Sequence, residues 1–395
     1  MEFSYVSQIH VNSCYTKHEF DIPKIELTEF KHILITGKNG TGKTTILNSL
    51  GAQQNYIINN KTSIGQRINI LKAIIKNNKG SLAIPEWQKE LSELENLKIN
   101  YLPSNSSEFS NYIFAHFRAH RKVEFNDVTT VVREEDITNV IDNKQNQNSD
   151  YSISALKQYL VNKKVYEAFD RMNEANDKIS QSKKFFENLT DTLRNILEDD
   201  QITLEFVHEN FEFYINLSDG RKITFNQLSE GFSAFFSIVI DLLIRVDLYR
   251  KQLNNYEIDP PGIIVIDEPE THFHLSLQYN ILPLINKLFP KMQLIVATHS
   301  PAVISSLKNA IVFDLSTMEE ISDWLLGSSY SELMVSHFGL ENEFSPIADK
   351  IINDVRIAVK EKDKNKLEHI LIENDKYLTP SLRLEIESQI IHIGL

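Results

Sequence analysis

Cysteine is nearly absent: Cys14 stands alone among 395 residues, which excludes an internal disulfide and any multi-cysteine metal site. Basic residues are in deficit, 41 against 54 acidic, giving a formal charge of −13. So acidic a chain lacks the broad affinity for nucleic acid that rests on Lys and Arg neutralising phosphates, although a local basic strip stays open. Long hydrophobic runs are missing too, since no stretch approaches the roughly 20 apolar residues that cross a bilayer. The opening MEFSYVSQIHVNS has neither a basic n-region nor an apolar h-region, so no signal peptide or membrane contact is expected and the sequence reads as cytoplasmic. No internal repeat is visible. The apolar, charged and aromatic fractions are those of an ordinary globular protein, long enough for a large core and two or three substructures.

One stretch stands out from this background, KHILITGKNGTGKTTILNSL at 31–50. An apolar run, Ile33 to Ile35, leads into Gly37-Lys38-Asn39-Gly40-Thr41-Gly42-Lys43-Thr44, and a helical pattern follows from Thr45. The spelling is G-x-x-x-x-G-K-[ST] in a strand–loop–helix context. Glycines at 37, 40 and 42 let the backbone turn its N–H groups to one side as a cradle for anionic oxygens, and the helix start adds its positive dipole end. Lys43 is placed to reach the β- and γ-phosphates of ATP, and the Thr44 hydroxyl to hold Mg²⁺. The expected nucleotide-binding set is Asn39, Gly40, Thr41, Gly42, Lys43, Thr44 and Thr45. The bland alternative is a glycine-rich strand–helix turn with an exposed lysine.

The rest of the chain reads as α/β. Residues 3–22 suggest two strands and 44–60 a helix. Residues 61–102 suggest helix, with Ile64, Ile68, Leu71, Ile74 and Ile75 on one face, and 103–110 a break. A strand within 112–125 ends in Arg118, His120, Arg121 and Lys122, either a solvated strand end or a place where Arg118 or Arg121 approaches nucleotide or partner. Residues 141–150 are a polar boundary, and 151–200 form two amphipathic helices. A hairpin occupies 201–220, with the turn signal Asp219-Gly220. An apolar helix spans 226–248, strands are expected at 262–270, 293–300 and 310–315, and a helix at 275–288. Helical segments such as ISDWLLG and IADKIINDVRIAVKEK follow. The expected domains are an N-terminal lobe at 1–60, a mainly helical insertion at 61–200, a second lobe at 201–315 and an α-rich extension at 316–395.

Three further places carry chemistry. Asp267 and Glu268 stand at the carboxyl end of the buried strand GIIVID, where parallel sheets bind ligands. The first can hold Mg²⁺, and the second can polarise the water that attacks a γ-phosphate. His299 ends the strand QLIVATHS and can hydrogen-bond the γ-phosphate or place that water. Leu228-Ser229-Glu230-Gly231-Phe232 opens an apolar helix and forms a second anion-ready helix start. Since one phosphate site already exists, its economical use is in trans, Ser229 and the Gly231 N–H closing on the ATP of another copy. The alternative is an ordinary helix capped by Ser229.

GKNGTGKTT, LSEGF, IIVIDEPE and VATHS, in that order, resemble an ABC-type ATPase head of the soluble branch that includes the SMC/RecF-like and OLD-type proteins. The resemblance covers about residues 1–60 and 200–315 and implies a mixed β-sheet with flanking helices. It makes Lys43 and Thr44 Walker A, Asp267 the Walker B metal carboxylate and Glu268 the catalytic base. Ser229, Glu230 and Gly231 become the signature, and His299 the switch histidine. Departures are Glu230 and Phe232 within the signature, PETHFH after Walker B, His274 where an aspartate is usual, and the lack of a clear Q-loop glutamine. Longer phrases, among them LPLINKLFPKMQLIVATHSPAVISSLKNAIVFDL, are similar to bacterial anti-phage defence ATPases of the Septu and retron-associated kind. That implies a homodimer or higher oligomer controlling a separate HNH nuclease, in some systems beside a retron reverse transcriptase and its msDNA. No nuclease is expected in this chain, because Glu319, Glu320, Asp323 and Glu341 lack the metal-ligand pattern of the OLD-type nuclease domain. The competing function is a RecF/SMC-like ATPase contacting DNA through Lys163, Lys164, Lys178, Lys183 and Lys184.

Overall fold

The computed structural model describes residues 3–12, 19–59, 64–78, 81–102, 112–119, 123, 125–133, 135–137, 149–271, 273–321, 346–361, 363–378 and 380–393. Two compact units divide the chain, Met1–Gly327 and Ser328–Leu395.

The first unit opens with β1 (Tyr5–Val11), β2 (Phe20–Ile22), β3 (His32–Thr36) and α1 (Lys43–Asn59). Then come α2 (Ile64–Asn77), α3 (Ile84–Glu95), β4 (Leu97–Leu102), β5 (Ile113–Phe117), α4 (Ser149–Met172) and α5 (Asn176–Leu197). A small sheet, β6 (Thr203–Val207), β7 (Glu212–Asn216) and β8 (Lys222–Thr224), precedes the long α6 (Glu230–Gln252). The unit continues with β9 (Gly262–Asp267), α7 (Leu275–Gln278), α8 (Ile281–Leu288), β10 (Met292–Ala297), α9 (Pro301–Ile304), β11 (Ala310–Asp314) and β12 (Glu319–Glu320).

The class is the expected mixed α/β. The main sheet runs β12-β11-β3-β10-β9-β5, parallel throughout except for the edge strand β12. HILIT, GIIVID and MQLIVA are buried at every position, as a parallel sheet covered on both faces requires. Ile33, Ile35, Ile263, Val265, Ile295 and Ala297 share one core with Ile46, Leu47 and Leu50 of α1 and with Val6 and Ile9 of β1. The alternate residues Leu34, Ile264, Ile266, Leu294 and Val296 are equally buried and, by strand alternation, face the other way. The β2-β1-β4 sheet is tied to the main one by the Gln293 amide, which accepts from the Val6 N–H (2.8 Å) and donates to the Val6 carbonyl (2.9 Å).

Some elements depart from the sequence reading. Residues 97–102 are a strand, not helix, because β4 pairs antiparallel with β1, Ile99 opposite Ile9. The helix expected at 275–288 breaks into α7 and α8: Pro283 has no N–H, and its ring would clash with the carbonyl four residues back, at the break. Asp219-Gly220 joins β7 to a third strand, β8. The break at 103–110, the cluster His120, Arg121 and Lys122, the boundary at 141–148 and the segment 322–327 lie outside the described residues.

Around α4–α6, Phe125, Phe186, Phe213, Phe225 and Phe236 form a contiguous aromatic cluster with centroids 5.0–6.4 Å apart. In the second unit α10 (Pro346–Glu361), α11 (Lys364–Glu373) and α12 (Pro380–Ile393) bury Ile351, Val355, Ala358, Leu367, Ile370 and Ile386. Among the described residues no helix is long and apolar enough to cross a membrane.

Candidate nucleotide site

The loop between β3 and α1 has the conformation its glycines permit. Gly37, Gly40 and Gly42 have φ of +138°, +82° and +99°, a region side chains disfavour. A Cβ on Gly37 would also lie 3.1 Å from Thr41 Oγ1 and 3.2 Å from Leu315 Cβ. The loop is braced from β11's end, where the Lys38 N–H donates to Ser316 Oγ (2.7 Å), and internally by Thr41 Oγ1 donating to the Lys38 carbonyl (2.9 Å). Lys43 is only 6% exposed, and its Nζ donates to the carbonyls of Gly37 (2.7 Å) and Lys38 (3.1 Å). The ammonium is thus folded into the curve of its own loop. Burial lowers its proton affinity, while Glu268, Asp267, Asp314 and Glu270 oppose that effect, so four carboxylates bear on one lysine. Asn39, Gly40 and Thr44 are exposed; Thr41, Gly42 and Thr45 are half-buried.

Asp267, 2% exposed, ends β9 beside Ala297, which pairs in turn with Ile35 just before the loop. Alternation puts it on the α1 face with Ile263 and Val265. The Glu268 N–H donates to the Ala297 carbonyl (2.8 Å), extending the ladder by one residue. Glu268 then adopts φ +47° immediately before Pro269, a combination few non-glycine residues occupy. Such backbone persists where the surroundings over-determine it, commonly at functional sites. Its carboxylate is 37% exposed, with Oε1 3.6 Å from His299 Nε2. Burial depresses the His299 pKa, Lys43 adds to this and Glu268 opposes it, so the surroundings favour the neutral imidazole.

Lys43, Asp267, Glu268 and His299 therefore lie near one another. Three participants were missed. Asp314, 1% exposed, stands at the end of another parallel strand and was accessible to the same strand-end argument as Asp267. Glu270 lies two residues beyond Glu268, and its Oε1 accepts from Thr298 Oγ1 and the His299 N–H, both at 2.7 Å. Ser316 braces the loop from far along the chain, which no local pattern reports. Arg118 follows β5 level with Asp267, because Phe117 pairs with Ile266, and its charge bears on Glu93 and His116.

The donor set fits a magnesium nucleotide. Asp267 and Thr44 offer hard oxygen ligands, and Mg²⁺ ordinarily takes its remaining ligands from phosphate and water. Among the described residues no group of three or more His, Cys, Asp or Glu could hold a metal alone.

The signature residues stand apart from this cluster. Ser229 precedes α6 in extended conformation and its hydroxyl makes no cap bond to the helix, unlike the ordinary N-cap. Ser229 and Glu230 are exposed and Gly231 is buried. The rings of Phe232 and Phe235 pack on Phe273, with centroids 6.2 and 5.9 Å apart, so the start of α6 rests on the loop after Glu268. His274 is exposed and opens α7.

Residues 77–305, a span holding the signature, Asp267, Glu268 and His299, match the family described as AAA domain, putative AbiEii toxin, Type IV TA system. The chain is 24% identical over 387 residues to the Septu protein PtuA of Bacillus thuringiensis, covering 91% of this chain and 92% of that protein. It is 29% identical over 181 residues to the retron Ec83 probable ATPase of Escherichia coli, covering 42% and 32%. The endonuclease GajA of Bacillus cereus is 20% identical over 248 residues, covering 60% and 35%. The chain thus spans nearly all of the Septu relative and about a third of the other two. With the family match extending over more than half its length, the chain belongs to the AAA-domain family described as putative AbiEii toxin, Type IV TA system.

Proposed function

We propose that this chain binds ATP with Mg²⁺ and hydrolyses it as the regulatory ATPase of a bacterial anti-phage defence complex, dimerising around ATP and controlling a separate HNH nuclease. The convergence of Lys43, Asp267, Glu268 and His299 at the ends of adjacent parallel strands carries the reading. Lys43 exchanges the Gly37 and Lys38 carbonyls for β- and γ-phosphate oxygens. Asp267 and Thr44 would hold Mg²⁺, which when bound would neutralise charge on the phosphates. Glu268 accepts the proton of the attacking water, and neutral His299 donates a hydrogen bond toward the γ-phosphate. Ser229 and Gly231 of a second copy complete the site; an exposed hydroxyl that does not cap its own helix supports this.

The likeness to a Septu protein over nearly its full length, and to a retron ATPase, supports the place in defence. The HNH nuclease, and a retron reverse transcriptase with msDNA, enter as partners through that resemblance. The chain itself is proposed to cut no DNA, because Glu319, Glu320, Asp323 and Glu341 lack the metal-ligand pattern of the OLD-type nuclease domain. Cleavage by the purified chain alone would refute that part. The RecF/SMC-like alternative needs a basic groove. Of its five lysines, Lys163 pairs with Asp247 (2.6 Å), Lys164 with Glu167 (3.1 Å), Lys178 with Asp170 (4.0 Å) and Lys183 with Glu187 (3.8 Å). Their field is largely cancelled. ATP hydrolysis by the wild-type chain, lost in both Lys43→Ala and Glu268→Gln, with only the second retaining bound ATP, tests the assignment. Native turnover in Glu268→Gln would contradict it.

A further inference from the structure

Glu270 is a half-buried acid that the mechanism above leaves without a role. The turn that carries it starts at the strained Glu268 and is closed by Thr271 Oγ1 donating to the Glu268 carbonyl (2.9 Å). This turn sends the Glu270 side chain back to the tip of the neighbouring strand. There one oxygen, Oε1, accepts from Thr298 Oγ1 and from the backbone N–H of His299, while Oε2 is buried without a hydrogen-bond partner. The Thr298 N–H donates to the Ile35 carbonyl (3.0 Å), and Thr298 Oγ1 also accepts from the Ser300 N–H (3.0 Å). A single carboxylate therefore joins the Walker B turn to the residues on which His299 is mounted.

We propose that Glu270 is a positioning residue that fixes the backbone of His299, and so holds the imidazole against Glu268 ready for the γ-phosphate. The inference rests on the ATPase reading for its catalytic consequence but not for its structural one. Burial and the nearby Glu268 charge raise the Glu270 pKa, yet Oε1 can accept both bonds in either protonation state, and so can the oxygen of a glutamine.

Two measurements test this together. In the nucleotide-free protein, amide exchange at His299 is expected to accelerate by about tenfold or more in Glu270→Ala and to stay near wild type in Glu270→Gln. In steady-state hydrolysis, Glu270→Ala is expected to lower kcat by about as much as His299→Ala, with KM for ATP changed less than about twofold. Combined with His299→Ala, it should add less than about twofold, because the two residues act as one unit. Glu270→Gln should recover most of the loss. Unchanged exchange at His299 in Glu270→Ala would overturn the proposal, as would a kcat loss of equal size whether or not His299 is present. Should Glu270→Ala fail to fold, Thr298→Val, which removes one of the two donors, is expected to show the same changes in smaller degree, and no change would overturn the proposal. If the wild-type chain hydrolyses no ATP, the ATPase reading fails, while the exchange experiment still decides the clamp.

Discussion

A lysine ammonium that is 6% exposed is held by two loop carbonyls and favoured by the charge of four carboxylates, which offsets part of the cost of burial. Lys43→Ala removes the phosphate contact and the cation whose charge offsets those carboxylates. ATP affinity should therefore fall below detection, by about a hundredfold or more, in a calorimetric titration. Glu268→Gln keeps the shape of the turn but cannot take a proton, so kcat should drop by roughly 10²-fold or more while ATP stays bound, measurable in single turnover. Glu270 offers a test of sign. Its folded pKa is raised, so its carboxyl contributes stability present below the unfolded carboxylate pKa and lost as the pH rises through the folded value. Glu270→Gln should accordingly raise the melting temperature at pH 7.5 more than at pH 4. Lys43, Asp267, Glu268 and His299 were legible because each sits at a fixed offset from an apolar strand. Glu270 and Ser316 were not, because their importance lies in a hydrogen bond to a strand or loop distant in sequence.

Among elements, the buried strands and their order of motifs were readable, since runs such as GIIVID leave no polar face to mistake. β4 escaped because its conformation is decided by pairing with β1, some ninety residues earlier, and local propensity yields to that. The break between α7 and α8 was written in Pro283, and the apolar periodicity across it concealed the interruption. The loop before α1 makes the sharpest element-scale prediction. Gly37→Ala puts a Cβ 3.1 Å from Thr41 Oγ1 and 3.2 Å from the Ser316 nitrogen at φ +138°. It should cost about 1–3 kcal/mol in urea unfolding and weaken nucleotide binding together. A neutral outcome would mean that the loop adapts freely and is not pre-shaped.

For the molecule as a whole, two histidines contribute to its response to acid. His32 is buried and His116 half-buried, and desolvation lowers each pKa to about 4. Both folded values lie below the unfolded one, so the stability these two histidines contribute is complete above pH ~6.5 and declines as the pH falls toward 4, where both must charge. Urea unfolding from pH 7.5 to 4.5 should show that decline, and His116→Gln should flatten it. The central claim also belongs to this scale: the lysine loop of one copy and the helix start of another grip the same triphosphate. Mixing two inactive variants tests it most directly. Lys43→Ala keeps a sound signature, and Ser229→Arg, at an exposed position, keeps a sound loop. A dimer of one with the other contains one whole site, so an equal mixture should recover up to about a quarter of wild-type hydrolysis. Hydrolysis no greater than that of the two variants measured separately would contradict a shared site.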